Sequence, residues 1–165
     1  MEIGGSLTGV EEPLLPVERG YRSVLRVRAA AFWGVLTIAA FVADRALLAD
    51  KPLGGLAPVA LLVIGLSIVS IVPQRIYDRL RYRLTGSLLQ VMRGWLFHTD
   101  TVVPLVRVQH LDVVRGPLDK LFGTASLVVH TAGTLNSTVL LPGLSPERAG
   151  ELRDTIREHV RTDFE

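Results

Sequence analysis

The sequence contains no cysteine, and aromatic residues make up only 6% of it. Without cysteine the chain has no disulfide, no thiolate metal site and no cysteine nucleophile. The sequence also lacks a large excess of either charge sign, because 18 basic residues and 16 acidic residues leave a formal net charge of only +2. Binding of nucleic acid needs a dense basic surface, so the composition predicts no nucleic-acid partner.

Hydrophobic residues, in contrast, form 48% of the chain and are concentrated in its first half. The run from Leu53 to Val72 contains no charged residue. A run of about 20 residues crosses a ~30 Å hydrocarbon core at ~1.5 Å per residue. A soluble helix of that length would need more polar positions, so this run predicts a membrane-spanning helix.

A second span is predicted from Ala29 to Leu48, although Asp44 and Arg45 interrupt it. If both charged residues lie in the last turns of this helix, the long arginine side chain can extend to the lipid headgroups. The two side chains then contact either the headgroups or each other. The two spans then form a hairpin joined by Asp50, Lys51 and Pro52. A cleaved signal peptide is disfavoured by the long preceding segment and by the lack of a small-residue cleavage pattern.

Basic residues flank the hairpin on the side away from this loop. Arg26 and Arg28 precede the first span, and Arg75 and Arg79 follow the second. Because basic residues close to a span resist translocation, both termini are predicted to be cytoplasmic in a multi-pass protein of the cell inner (plasma) membrane. A role of these arginines in binding specific lipids remains an alternative to this topological role.

Three regions are predicted: a flexible N-terminal tail (1–24), the two-helix hairpin (25–76) and a cytoplasmic domain (77–162). The linker is Pro73 to Leu80, after which short β-like runs alternate with turn residues. These runs are Arg81 to Leu84, Leu88 to Arg93, Trp95 to Val103, Val106 to Val114, Ala125 to Thr131 and Thr138 to Leu141.

The last element is predicted to be a helix. Ser145 suits its N-cap and Pro146 its first helical position. Apolar residues then recur at helical spacing at Ala149, Leu152, Ile156 and Val160. One apolar face suits the open end of a sheet, so we expect an α+β domain, with an antiparallel β-barrel or sandwich capped by a C-terminal helix.

Several short sequence motifs follow one another in this half of the chain. They are Val103-Pro104-Leu105, Val108-Gln109-His110, Gly116-Pro117-Leu118 with Phe122-Gly123, His130-Thr131-Ala132-Gly133 and Leu141-Pro142-Gly143-Leu144. With the upstream hairpin, the chain from Leu25 to Val160 resembles the bacterial pleckstrin-homology-like, membrane-flanked domain proteins of the YdbS type. The resemblance implies a pleckstrin-homology-like fold, a membrane location and no established enzymatic activity.

One loop of this chain differs from the corresponding loop of ligand-binding pleckstrin-homology domains. Pleckstrin-homology domains that bind phosphoinositides carry basic residues around the loop between their first two strands. Here that loop is Thr85-Gly86-Ser87, so phosphoinositide recognition is not transferred to this chain.

Motifs for catalysis or cofactors are absent from the sequence. The four histidines lack metal-ligand spacing, and no phosphate-binding loop or G-x-S-x-G motif occurs. His110 and Asp112 share a strand face, but this favours a hydrogen-bonded strand pair over part of a hydrolytic triad. We therefore expect no catalytic site, no metal site, no cofactor and no enzymatic activity.

A polar group follows one long predicted strand and its turn: Arg107, Gln109, Arg115 and Lys120. Alternation would place the first three on a common face. They are the candidate contact residues for anionic lipid or a protein, and the alternative is an ordinary solvated face.

The expected function is a membrane-anchored, non-catalytic binding or scaffold module. Its expected partners are the lipid bilayer and either another membrane protein or a second copy of the chain, since the spans contain small residues that let helices approach closely. The alternative is a lipid-binding or transport accessory protein, with a pocket between the strands and the final helix.

Overall fold

Two apolar helices form a hairpin in the computed structural model, which describes residues 13–47, 54–95, 97–132 and 138–162. Helix α1 is Arg19–Leu47 and helix α2 is Leu56–Arg79. Both are long and apolar enough to cross a membrane. Only 6% and 17% of their most apolar stretches are buried, so their surfaces suit lipid better than a protein core.

Both helices are longer than the sequence predicted at the end near the β domain. Helix α1 begins at Arg19 instead of Ala29, and α2 continues through Pro73 to Arg79 instead of ending at Val72. The predicted linker is therefore helical. Beyond the proline, the guanidinium of Arg22 donates a hydrogen bond of 3.0 Å to the Gln74 side chain, which holds α2 against α1. The predicted connection at Asp50 to Pro52 lies outside the described residues.

Residues 13–24 differ from the predicted flexible tail, while residues 1–12 are not described. Strand β1, Leu15–Pro16, pairs with the first strand of the domain. Val17 is 4% exposed and Val24 is fully buried. Burial of these apolar side chains anchors the segment, and a short sequence pattern does not reveal such tertiary contacts.

The loop end of the hairpin is closed by Asp44. Its carboxylate is buried, and both oxygens lie 2.9 Å from the Gly55 amide, which donates to them. Gly55 immediately precedes α2, so the negative charge lies at the positive end of that helix. Arg45 does not pair with Asp44 but lies over the Phe41 ring, 5.3 Å from its centroid.

Replacing Asp44 is expected to weaken the hairpin. Asp44→Ala should lower the free energy of unfolding by about 1–2 kcal/mol, because it removes a helix N-terminal partner. The measurement is SDS-induced unfolding of the full chain in detergent micelles. Asp78→Ala is the matched control, because Asp78 accepts its bond from Gln74 on the exposed surface of α2. Equal stability of the two variants would remove the capping role of Asp44.

The C-terminal half contains two packed antiparallel sheets, in the orders β1-β2-β3-β4 and β5-β6-β7. The remaining elements are β2 Arg81–Thr85, β3 Leu88–Arg93, β4 Thr99–Pro104, β5 Val108–Val114, α3 Pro117–Leu121, β6 Ala125–Thr131, β7 Thr138–Leu144 and α4 Pro146–Thr162. The sheets form a sandwich instead of a closed barrel. The Ser145 hydroxyl accepts a bond of 3.1 Å from the Arg148 amide, which confirms the predicted N-cap of α4.

Leu89, Leu127, Leu141 and Ile156 are fully buried in the core between the sheets and α4. Four strands differ from the prediction at their boundaries, and two of them extend further: β2 ends at Thr85 and β7 at Leu144. Strand β4 begins at Thr99 instead of Trp95, and Leu105–Arg107 forms a turn of 3₁₀ helix before β5.

The domain has two ends that differ in their distance from the hairpin. We call the end that contacts α1 and α2 the anchor end. There the Glu18 amide donates to the Gly143 carbonyl oxygen at 2.7 Å, and the Arg79 side chain donates to the Trp95 carbonyl oxygen at 3.2 Å. The opposite end is called the far end. There the Leu105 amide donates to the Ser87 carbonyl oxygen at 2.9 Å, which joins the β2–β3 turn to the 3₁₀ turn.

Candidate functional site

The four predicted contact residues do not share a face. Arg107 lies in the 3₁₀ turn, and Gln109 is the extra residue of a bulge where the register passes from Val108 to His110. Strand β5 separates Arg107 from Arg115, and at ~3.3 Å per residue it is roughly 20 Å long. Arg107 and Gln109 therefore lie at the far end, whereas Arg115 and Lys120 lie at the anchor end.

Helix α3 forms part of the anchor end, and one buried carboxylate fixes its turn. Asp119 is 5% exposed. One of its oxygens accepts from the Gly116 amide at 3.0 Å, and the other accepts from the Thr124 hydroxyl at 2.9 Å. Pro117 occupies the first turn, where a missing amide donor is tolerated. These contacts give α3 a defined position on the domain.

Three cationic side chains surround α3. The Arg28 guanidinium of α1 lies 3.9 Å from the Asp119 carboxylate, and the Arg115 Nε donates to the Thr124 carbonyl oxygen at 3.4 Å. Lys120 is exposed on α3 itself. Leu121 follows it and is 74% exposed. We call Arg28, Arg115, Lys120 and Leu121 the α3 surface, which combines positive charge with an exposed apolar side chain.

The domain is docked against α1 by close backbone contacts. A Cβ added at Gly20 would lie 2.3 Å from the Phe122 carbonyl oxygen, and one at Gly143 would lie 2.7 Å from the Tyr21 ring. Burial in this contact raises the pKa of the Tyr21 phenol above its ordinary value. Since α1 is unbroken from Arg19 onward, these contacts fix the α3 surface at the end of its apolar stretch.

The other predicted flanking arginines lie close to the same end. Arg26 and Arg75 are exposed on α1 and α2. Arg79 is exposed and bonded to the loop at Trp95, as described above. Sequence reasoning placed Arg28 with these flanking residues and missed its position beside α3. It also missed Leu121, whose exposure no sequence pattern indicates.

A polar cluster on the outer face of the β5-β6-β7 sheet includes the predicted strand pair. The Asp112 carboxylate lies 2.9 Å from the His110 Nε2 and 3.4 Å from the His130 Nε2, and the His130 Nδ1 lies 3.2 Å from the Thr138 hydroxyl. The His110 side chain is 68% exposed and that of Asp112 is 46% exposed. Such solvation is unlike the water-excluded sites in which preorganised dipoles drive catalysis.

Within the described ranges, no group of three His, Asp or Glu side chains is arranged to hold a metal ion. A cavity of about 110 Å³ lies between β5 and α4, lined in part by Val108, Leu111 and Val160. Ligand sites usually measure about 300–1,000 Å³. This cavity is therefore too small for the lipid pocket that the transport alternative requires.

Comparisons with known proteins agree with the hairpin and the sandwich. The family model described as "Bacterial PH domain" matches residues 24–160. The chain is also similar to the UPF0699 transmembrane protein YdbS of Bacillus subtilis (strain 168), with 36% identity over 93 residues. That match covers 56% of this chain and 57% of the relative, so it spans little more than half the length of each. No solved structure matches the chain.

Proposed function

Because the chain belongs to the bacterial PH domain family, we propose that this membrane protein is a non-catalytic binding module held in a fixed orientation on the bilayer surface. Its α3 surface contacts anionic lipid headgroups, and its far end remains available to a protein. The observation that carries the proposal is the contact of Arg28 with Asp119, because it joins α3 to the residue just before the predicted span.

In the proposed topology the hairpin crosses the inner membrane twice, with both termini in the cytoplasm. Arg26, Arg28, Arg75 and Arg79 all lie at the domain end of the helices, whereas Arg45 is the single basic residue described at the loop end. This asymmetry supports a cytoplasmic domain, because arginines near spans favour that side.

Charge and apolar exposure together support lipid contact by the α3 surface. A basic side chain close to an anionic bilayer contributes about 1 kcal/mol. The Leu121 side chain, 74% exposed, has an apolar environment available only if it reaches the bilayer or a partner. Docking of the domain on α1 holds these groups near the headgroups without a flexible linker.

The far end supports the scaffold part of the proposal. Arg107 and Gln109 are exposed there, and Val106 beside them is 55% exposed. Their distance from α3, roughly 20 Å along β5, exceeds the ~8 Å screening length at physiological salt. Lipid contact at α3 therefore leaves this end free to bind a protein, which we propose is another membrane protein or a second copy of the chain.

The test uses a single fluorophore on Leu121→Cys in the full chain, which has no other cysteine. The chain is reconstituted in liposomes that contain either brominated phosphatidylglycerol or brominated phosphatidylcholine. We expect stronger quenching by phosphatidylglycerol. Adding Arg115→Gln and Lys120→Gln should lower this preference by about 30-fold, since two contacts of about 1 kcal/mol are lost.

The matched control is Arg107→Gln with Arg157→Gln. Arg157 of α4 lies at the far end, where it lines the small cavity beside Gln109, so this control removes the same charge there and should keep the preference. Equal loss in both double variants would mean that net charge alone attracts the lipid. Absence of any preference in the reference protein would overturn lipid contact by the α3 surface.

A further inference from the structure

The two apolar helices leave a cleft between them near the loop end of the hairpin. Its volume is about 500 Å³. Ile38 and Phe41 of α1 and Val59 and Leu62 of α2 line its apolar part. Arg45 lies at one end of the lining. Asp44 lines the same end, but it is buried whereas Arg45 is exposed. The cleft therefore has an apolar body with one accessible cation at its edge.

Arg45 is the exposed member of the two charged residues that line this end of the cleft. Both oxygens of Asp44 accept from the Gly55 amide, and within the described ranges Arg45 forms no ion pair. The Arg45 guanidinium lies over the face of the Phe41 ring, which itself lines the cleft. A guanidinium held in this way retains donors suited to a phosphate oxygen.

The length of the cleft corresponds to one leaflet. From Thr37 to Arg45 the helix rises about 12 Å at ~1.5 Å per residue, compared with half of a ~30 Å hydrocarbon core. Arg45 thus lies near headgroup depth while Thr37 lies near the bilayer midplane.

We propose that the cleft binds one anionic phospholipid of the leaflet opposite the β domain. An acyl chain lies between α1 and α2 along Ile38 and Leu62, and the phosphate contacts the Arg45 guanidinium. The match of an amphipathic lipid to an apolar cleft with a cationic edge favours this occupant over a helix of a second copy. The site depends on the hairpin spanning the membrane but not on the α3 surface, which lies at the opposite end of α1.

The test is native mass spectrometry of the full chain in detergent, titrated with phosphatidylglycerol or phosphatidylcholine. The reference protein should bind one phosphatidylglycerol molecule in preference to phosphatidylcholine. Arg45→Gln should weaken phosphatidylglycerol binding about tenfold, the effect of losing one charge-assisted hydrogen bond. Arg45→Lys should retain most of the binding, because the positive charge is kept.

Filling the cleft with a larger side chain provides a second, independent test. Val59→Trp should abolish binding of both lipids, whereas Ile64→Trp should not, because Ile64 is 48% exposed on the same helix but does not line the cleft. Unchanged phosphatidylglycerol affinity in Arg45→Gln would overturn the site. A lipid-free dimer that Val59→Trp dissociates would also overturn it and would assign the cleft to a second copy.

Discussion

Gly20→Ala is expected to destabilise the full chain by about 1–3 kcal/mol, the range for overpacking a tight contact. The added Cβ would lie 2.3 Å from the Phe122 carbonyl oxygen, which is backbone and cannot rotate away. Relief therefore requires α1 to move off the β domain. Thermal unfolding in detergent, followed by circular dichroism, measures the loss, and faster proteolysis between the hairpin and the domain should accompany it.

The control for this variant is Gly34→Ala on the same helix. A Cβ at Gly34 meets no heavy atom within 4 Å. Alanine also favours a helix over glycine by about 1 kcal/mol, so this variant should be as stable as the reference protein or more stable. If Gly20→Ala unfolded at the same temperature as Gly34→Ala, the close contact between α1 and the domain would be refuted.

Gly143→Ala should have a comparable effect of about 3 kcal/mol for two combined reasons. Gly143 has φ 78°, a left-handed conformation that a Cβ disfavours. The same Cβ would lie 2.7 Å from the Tyr21 ring of α1. Chemical unfolding of the full chain measures the loss of stability.

Gly123→Ala separates the cost of the left-handed backbone from the cost of the close contact with Tyr21. Gly123 also has a left-handed φ, 65°, but a Cβ there meets nothing within 4 Å. This variant should lose only the backbone contribution, about 1–2 kcal/mol. Similar losses of stability in Gly143→Ala and Gly123→Ala would show that Tyr21 does not pack closely against β7.

Local patterns predicted most of the elements in the described ranges. The uncharged run identified α2, alternation located β3 and β6 with the observed ends, and Ser145 marked the start of α4. These features depend on residues near each other in the chain. The early start of α1 was missed, because the polar sequence before Ala29 is held in the helix by tertiary contacts: Val24 is fully buried, and Gly20 lies against the Phe122 carbonyl.

The candidate site was predicted only in part. Arg28, Arg115 and Lys120 were all named, but in two separate groups. They approach one another because α1 docks beside α3, a contact between residues far apart in the sequence. The grouping of Arg107 with Arg115 depended on strict alternation, which the bulge at Gln109 interrupts.

The depth of residue 121 in a bilayer is the most direct test of a domain fixed on the membrane surface. A spin label on Leu121→Cys in the full chain should be accessible to oxygen and shielded from a water-soluble nickel complex. A label on Val106→Cys, at the far end, should be fully accessible to nickel. Equal nickel accessibility at the two positions would contradict the docking of the α3 surface on the bilayer.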